Sequence, residues 1–138
     1  MSMDLLEQQR VKAWLLSGAR TESEIVSLER SAANIRTRAV SVASLCRDGQ
    51  ATAAAERYAA TVRDYTRRLS EQAAAVRAVI ESVPDETERA VLELRYVRGL
   101  TIEVVADIMN YSTASVIRHH RAALSSVRDI LNASAADE

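Results

Sequence analysis

An all-α fold is what this sequence predicts, and three observations predict it. Gly and Pro are scarce, three and one in 138 residues, so the chain lacks the turn punctuation of a β fold. Apolar residues make up 48% but aromatics only 4%. Much of the apolar content is Ala, which favours helix and suits close helix seams. Apolar residues also recur in steps of three and four over long stretches. The expected architecture is a long, coiled-coil-like helical hairpin over residues 1–83. A helix-turn-helix domain follows over 84–131, then a frayed tail over 132–138.

The first helix is expected over residues 4–16, anchored by Leu5, Leu6, Trp14 and Leu15. Ser17-Gly18-Ala19 weakens it, and Thr21 with Glu24 has the spacing of a capping box that restarts a helix. Whether the chain bends there or runs through stays open. Ile25, Leu28, Ala32, Ile35, Ala39, Val42 and Cys46 then form a heptad seam. Asp48-Gly49 supplies turn chemistry. A second seam follows on Ala55, Tyr58, Val62, Tyr65, Leu69, Gln72, Val76, Val79 and Val83. Two such helices joined by a short turn form an antiparallel hairpin, and each leaves an apolar stripe in need of a partner. Self-association, with a dimer favoured, is the expectation. The arginines at 57, 63, 67, 68 and 77 read as a solvated face.

Pro84 marks the boundary to the last third. Asp85 and Glu88 have capping-box spacing. The helix they open carries Val91, Leu92, Leu94, Tyr96 and Val97 and stops at Gly99. A short helix is expected over 101–109, a turn at Asn110-Tyr111, and a longer helix from a Ser112 cap to about residue 131. Ala106, small, sits where two helices cross closely, and Val116 lies on the inner face of the second. This is the arrangement that presents a second helix to the DNA major groove.

Net charge is −1, so any nucleic-acid reading rests on local charge. Residues 85–107 hold six acids against three arginines; residues 110–128 hold three arginines, two histidines and no acid. The potential changes sign at the second helix, where phosphates are attracted. The candidate DNA contacts are Ser112, Thr113, Ser115, Ile117, Arg118, Arg121 and Arg128. Arg118 is the expected base reader, because its fork matches the guanine edge. Ser112, Thr113 and Ser115 are placed to touch phosphates or bases, and Ile117 a thymine methyl. Arg121 and Arg128 are assigned to phosphates.

Other chemistry finds little support. No nucleophile–base pair, Gly-rich phosphate loop or special carboxylate pair stands out, so no enzyme and no cofactor are expected. Cys46 is the only cysteine, which excludes a disulfide framework or zinc set. His119 and His120, adjacent on a helix, do not face a common metal. Residues 1–10 carry acids and no long apolar core, unlike a signal peptide. No uncharged apolar stretch nears the roughly 20 residues of a membrane helix. A cytoplasmic location is expected.

Residues 88–127, ERAVLELRYVRGLTIEVVADIMNYSTASVIRHHRAALSSV, resemble region four of the sigma-seventy class of sigma factors. They resemble still more the phage-encoded regulators of the ArpU and RinA kind, which carry that module behind a long helical part. The likeness rests on VLELRY, the Gly before the first helix of the motif, the NYS turn, Arg118-x-His120 and Ala123-Leu124. It covers the last third of the chain; over residues 1–83 it is one of architecture alone. It implies a transcription regulator, encoded in a phage or prophage of a bacterial host, acting on late or packaging genes. Double-stranded DNA and RNA polymerase are the implied partners. Thr113, Ala114 and Ser115 depart from the charged residues or Gln usual after the cap, which shifts readout toward Arg118. His119 stands where the family has Leu or Ile, which implies a core-facing His119 and an exposed His120 near phosphate. Two other readings stay open: a phage terminase small subunit recognising packaging DNA, and a protein-interaction module that has lost DNA binding.

Overall fold

The computed structural model describes residues 3–18, 21–46 and 49–136. Among them are six α-helices and no strand, so the all-α expectation holds. The helices are α1 (Leu5–Ser17), α2 (Thr21–Cys46), α3 (Gly49–Ser82), α4 (Glu86–Leu92), α5 (Ile102–Met109) and α6 (Thr113–Ala136). A π-helical turn, Glu93–Val97, extends α4. α1 and α2 are separate helices; Asp48 of the expected hairpin turn lies outside the described residues. No described helix is long and apolar enough to cross a membrane.

The chain divides into two compact units, Met1–Ala19 with Gln72–Glu138, and Arg20–Glu71. The division is not the one expected at Pro84. α1 and the last turns of α3 belong with the C-terminal helices, and the physical reason is side-chain volume. Val11, Leu15, Val76, Ile80 and Val83 bury with Leu92, Tyr96, Leu124 and Val127 in one core. The hairpin side of α2 and α3 offers mostly Ala.

In the first unit, Asp4 caps α1 by accepting from Glu7 N at 2.7 Å. The buried face of α1 is Val11 and Leu15, with Trp14 packed beside them. Leu5 and Leu6, expected as anchors, are exposed at 69% and 58%. At about 100° per residue Leu6 falls on the far side of the helix from Val11 and Leu15, and Leu5 on the flank between. Gly18 ends the helix against α3: a Cβ there would lie 2.7 Å from Val76 Cγ2.

The second unit is an antiparallel pair. Ala32 of α2 packs with Ala59 and Val62 of α3, and Leu28 lies against them. Arg36 bonds Glu56 at 3.0 Å. The sequence expectation for α3 is corrected by one residue. The predicted row through 55, 62, 76 and 83 does face inward, but over the hairpin its companion is Ala59 and Thr66, not Tyr58 and Tyr65; toward the end of α3, Val79 packs against the core as expected, beside Ile80. Ala59 and Thr66 are buried while Tyr58 and Tyr65 are exposed. Either choice preserves a heptad. Small side chains on one of the two rows let the backbones approach, so that row closes and the tyrosines stay outside.

α6 runs on through residues 132–136, which were expected to fray. Ala and Ser there continue the helix without a breaker.

Candidate nucleic-acid interface

Local capping builds the site. Asp85 accepts from Glu88 N at 2.9 Å and opens α4. The Glu88 carboxylate does not complete a reciprocal box; it accepts from Ser126 Oγ at 2.6 Å and ties α4 to α6. Gly99, with φ +72°, takes the chain out of the π turn, as a residue without Cβ readily does. Arg95 Nη1 donates to Leu100 O at 3.1 Å and holds that loop. Thr101 caps α5 by accepting from Val104 N.

The turn between α5 and α6 depends on Asn110, which adopts the left-handed conformation at φ 58°. Asn tolerates that region better than most side chains. Tyr111 N then donates to Ala106 O at 3.0 Å. Ser112 Oγ accepts from Ser115 N at 3.1 Å and caps α6 as expected. Val91, Val105, Ala106 and Val116 are buried together and fix the crossing of α4, α5 and α6. Small Ala106 permits the close approach.

The outer face of α6 follows from this cap. Ser112, Thr113, Ala114, Ile117, Arg118 and Arg121 are exposed, and Ser115 is half-buried. Ala114, Ile117, Arg118 and Arg121 lie within one stripe of the helix, opposite Val116, Ala123 and Val127. Thr113 and Ser115 flank it by about 100° on either side. Among the described residues no side chain pairs with Arg118 or Arg121, so both forks are open. The first-turn amides of α6 add a partial positive charge at the same end.

Three placements differ from the sequence reading. His120 is buried, 8% exposed, and its Nε2 hydrogen-bonds the Tyr96 hydroxyl at 2.8 Å. The rings stack at 5.7 Å. His119 is half-exposed and stacks on Tyr111, also at 5.7 Å. The core-facing histidine is therefore His120, not His119. The helix period held the signal: 116, 120, 123, 124 and 127 are one inward stripe. Burial, with Lys12 and Arg95 nearby, lowers the His120 pKa to about 4. Burial pushes the Tyr96 hydroxyl up to about 12, against the opposing pull of Arg95. Both groups are neutral at pH 7, and His120 adds no charge to the interface.

Arg128 is the third difference. Its guanidinium contacts Glu7 of α1 at 3.2 Å and Asp129 at 3.1 Å, and its side chain is 22% exposed. It clamps α1 to α6 instead of standing open for phosphate. Sequence spacing held no signal for this contact, because Glu7 is 121 positions away. The open cations of the first turns of α6 are thus Arg118 and Arg121.

A capped short helix, a left-handed Asn turn and a second helix with an open, cationic outer stripe define a helix-turn-helix of the DNA-binding class. Residues 85–129 match the family model of sigma-70, region 4, so the C-terminal module is a region-4-like helix-turn-helix. No curated protein and no solved structure matches the chain.

Proposed function

We propose that this chain is a sequence-specific, DNA-binding regulator of transcription that reads the major groove with α6. The observation that carries the reading is the stripe of Ala114, Ile117, Arg118 and Arg121 on a helix whose cap and inner face are fully satisfied. Arg118 is the base reader, its fork suited to a guanine. Arg121 and the first turn of α6, through Ser112, Thr113 and Ser115, hold phosphates and set register. The same reading makes the protein a homo-oligomer, with a dimer favoured. Two open arginines on each α6 stripe give a modest electrostatic footprint, and a paired site read by two copies compensates for it. Contact with RNA polymerase, a phage or prophage late-gene role of the ArpU or RinA kind, and a cytoplasmic location complete it.

Electrophoretic binding to the DNA upstream of the protein's own gene tests the reading. Arg118→Ala is expected to weaken a specific site by about 1–3 kcal/mol, roughly 5- to 150-fold. Equal binding by both proteins would remove Arg118 as the reader. Absence of any salt-dependent affinity at low ionic strength would favour a protein-binding module instead. Ring-sized oligomers by light scattering would favour a packaging role of the terminase small-subunit kind.

A further inference from the structure

The hairpin of α2 and α3 has two unlike sides. On one side of the buried Ala32–Ala59–Val62 seam, Arg36 bridges to Glu56, and Glu29 and Arg63 line the same groove. That side is closed by charge. On the other side lie Ile35, Val42, Tyr58 and Tyr65, exposed at 39%, 45%, 37% and 48%. The helix period puts all four about 60–90° to the same side of the seam. The antiparallel register set by Arg36–Glu56 makes Ile35 level with Tyr58, and Leu28 level with Tyr65. The result is an apolar face across both helices, on which Ile35, Val42, Tyr58 and Tyr65 are all exposed among the described residues.

The rim of this face carries its own complement. Positions 24, 31 and 38 of α2 follow the apolar stripe at heptad spacing and are Glu, Ser and Arg. Glu24 and Arg38 are exposed, and among the described residues neither is paired. Two copies of α2 laid parallel set Glu24 on Glu24 and Arg38 on Arg38. Laid antiparallel about a two-fold axis at Ser31, they set Glu24 on Arg38 of the second copy, twice. The same axis sets Leu28 against Ile35 and Tyr58 against Tyr65. Charge and shape agree on one arrangement, as flanking pairs do in helical bundles.

We propose that this face is the self-association surface: a second copy of the chain docks on it through Leu28, Ile35, Tyr58 and Tyr65, forming an antiparallel four-helix bundle with α2 against α2. The proposal rests on the homo-oligomer reading above and is independent of whether α6 binds DNA.

Sedimentation equilibrium of the full chain, with circular dichroism as the folding control, is the test. The wild-type protein is expected to be a dimer at micromolar concentration, and Ile35→Glu a helical monomer. Glu24→Arg alone and Arg38→Glu alone are each expected to weaken the dimer at least about tenfold, through like-charge contacts at the rim. The double variant is expected to recover to within about threefold of wild type. Glu29→Arg, on the closed side, leaves the dimer intact. A monomeric wild type would overturn both this surface and the oligomer reading. A dimer that survives Ile35→Glu would overturn the surface alone. Rescue of Glu24→Arg by Arg68→Glu, and not by Arg38→Glu, would overturn the α2-on-α2 pairing.

Discussion

The Tyr96 hydroxyl and His120 Nε2, 2.8 Å apart, join the π-helical end of the α4 segment to the middle of α6. Both groups are buried. The pair satisfies two polar atoms in a core of Leu15, Leu92, Leu124 and Val127, and so fixes the rotation of α6 that turns Arg118 and Arg121 outward.

A pH dependence follows from this pair. The folded His120 pKa, about 4, lies below the ordinary value of 6.5. The unfolded chain therefore binds more protons between those values, and unfolding free energy rises with pH across them. Stability is full above about pH 6.5 and falls as pH drops toward 4, by roughly 2–3 kcal/mol. Urea unfolding at stepped pH checks this, with His120→Met expected to flatten that part of the profile. An unchanged slope in that variant would place the titration elsewhere.

Removing the hydroxyl alone is a narrower change. Tyr96→Phe leaves the buried His120 Nε2 without its partner and is expected to cost about 1–3 kcal/mol. Chemical denaturation measures it. The His120 pKa in the variant, read by NMR titration, is expected to stay below 6.5, because burial is the larger cause.

Arg128 and Arg121 are expected to separate stability from binding. Arg128→Ala breaks the contact with Glu7 and should lower stability slightly, with DNA affinity within about twofold of wild type. Arg121→Ala should leave stability unchanged. It should lower the slope of log K against log salt by about 0.9, one phosphate contact. A lowered slope for Arg128→Ala would restore that residue to the interface.

Gly18 offers a packing test. Its φ of −96° is open to any residue, so the constraint is contact. The added methyl of Gly18→Ala meets Val76 Cγ2 at 2.7 Å and Cβ at 2.9 Å. The helices must part, at about 1–3 kcal/mol. Gly49→Ala, with nothing within 4 Å of the new Cβ, is expected to be neutral or slightly stabilising. Thermal unfolding of the two variants side by side checks the contrast.

The sequence by itself determined the features that depend on near neighbours. The caps at Asp85, Thr101 and Ser112, the left-handed Asn110 and the small Ala106 at the crossing are settled within a few residues of chain. The helix-turn-helix was legible for that reason. Tertiary structure decided what one helical step leaves undetermined. Adjacent residues on a helix are about 100° apart, so a near miss in the inward stripe exchanges a core side chain for a surface one. His119 and His120 differ by that single step, as do Tyr58 and Ala59, or Tyr65 and Thr66. Which member turns inward depends on what stands opposite: Tyr96 for His120, and the small residues of α2 for Ala59. Arg128 belongs to the same class, because only folding brings Glu7 to it.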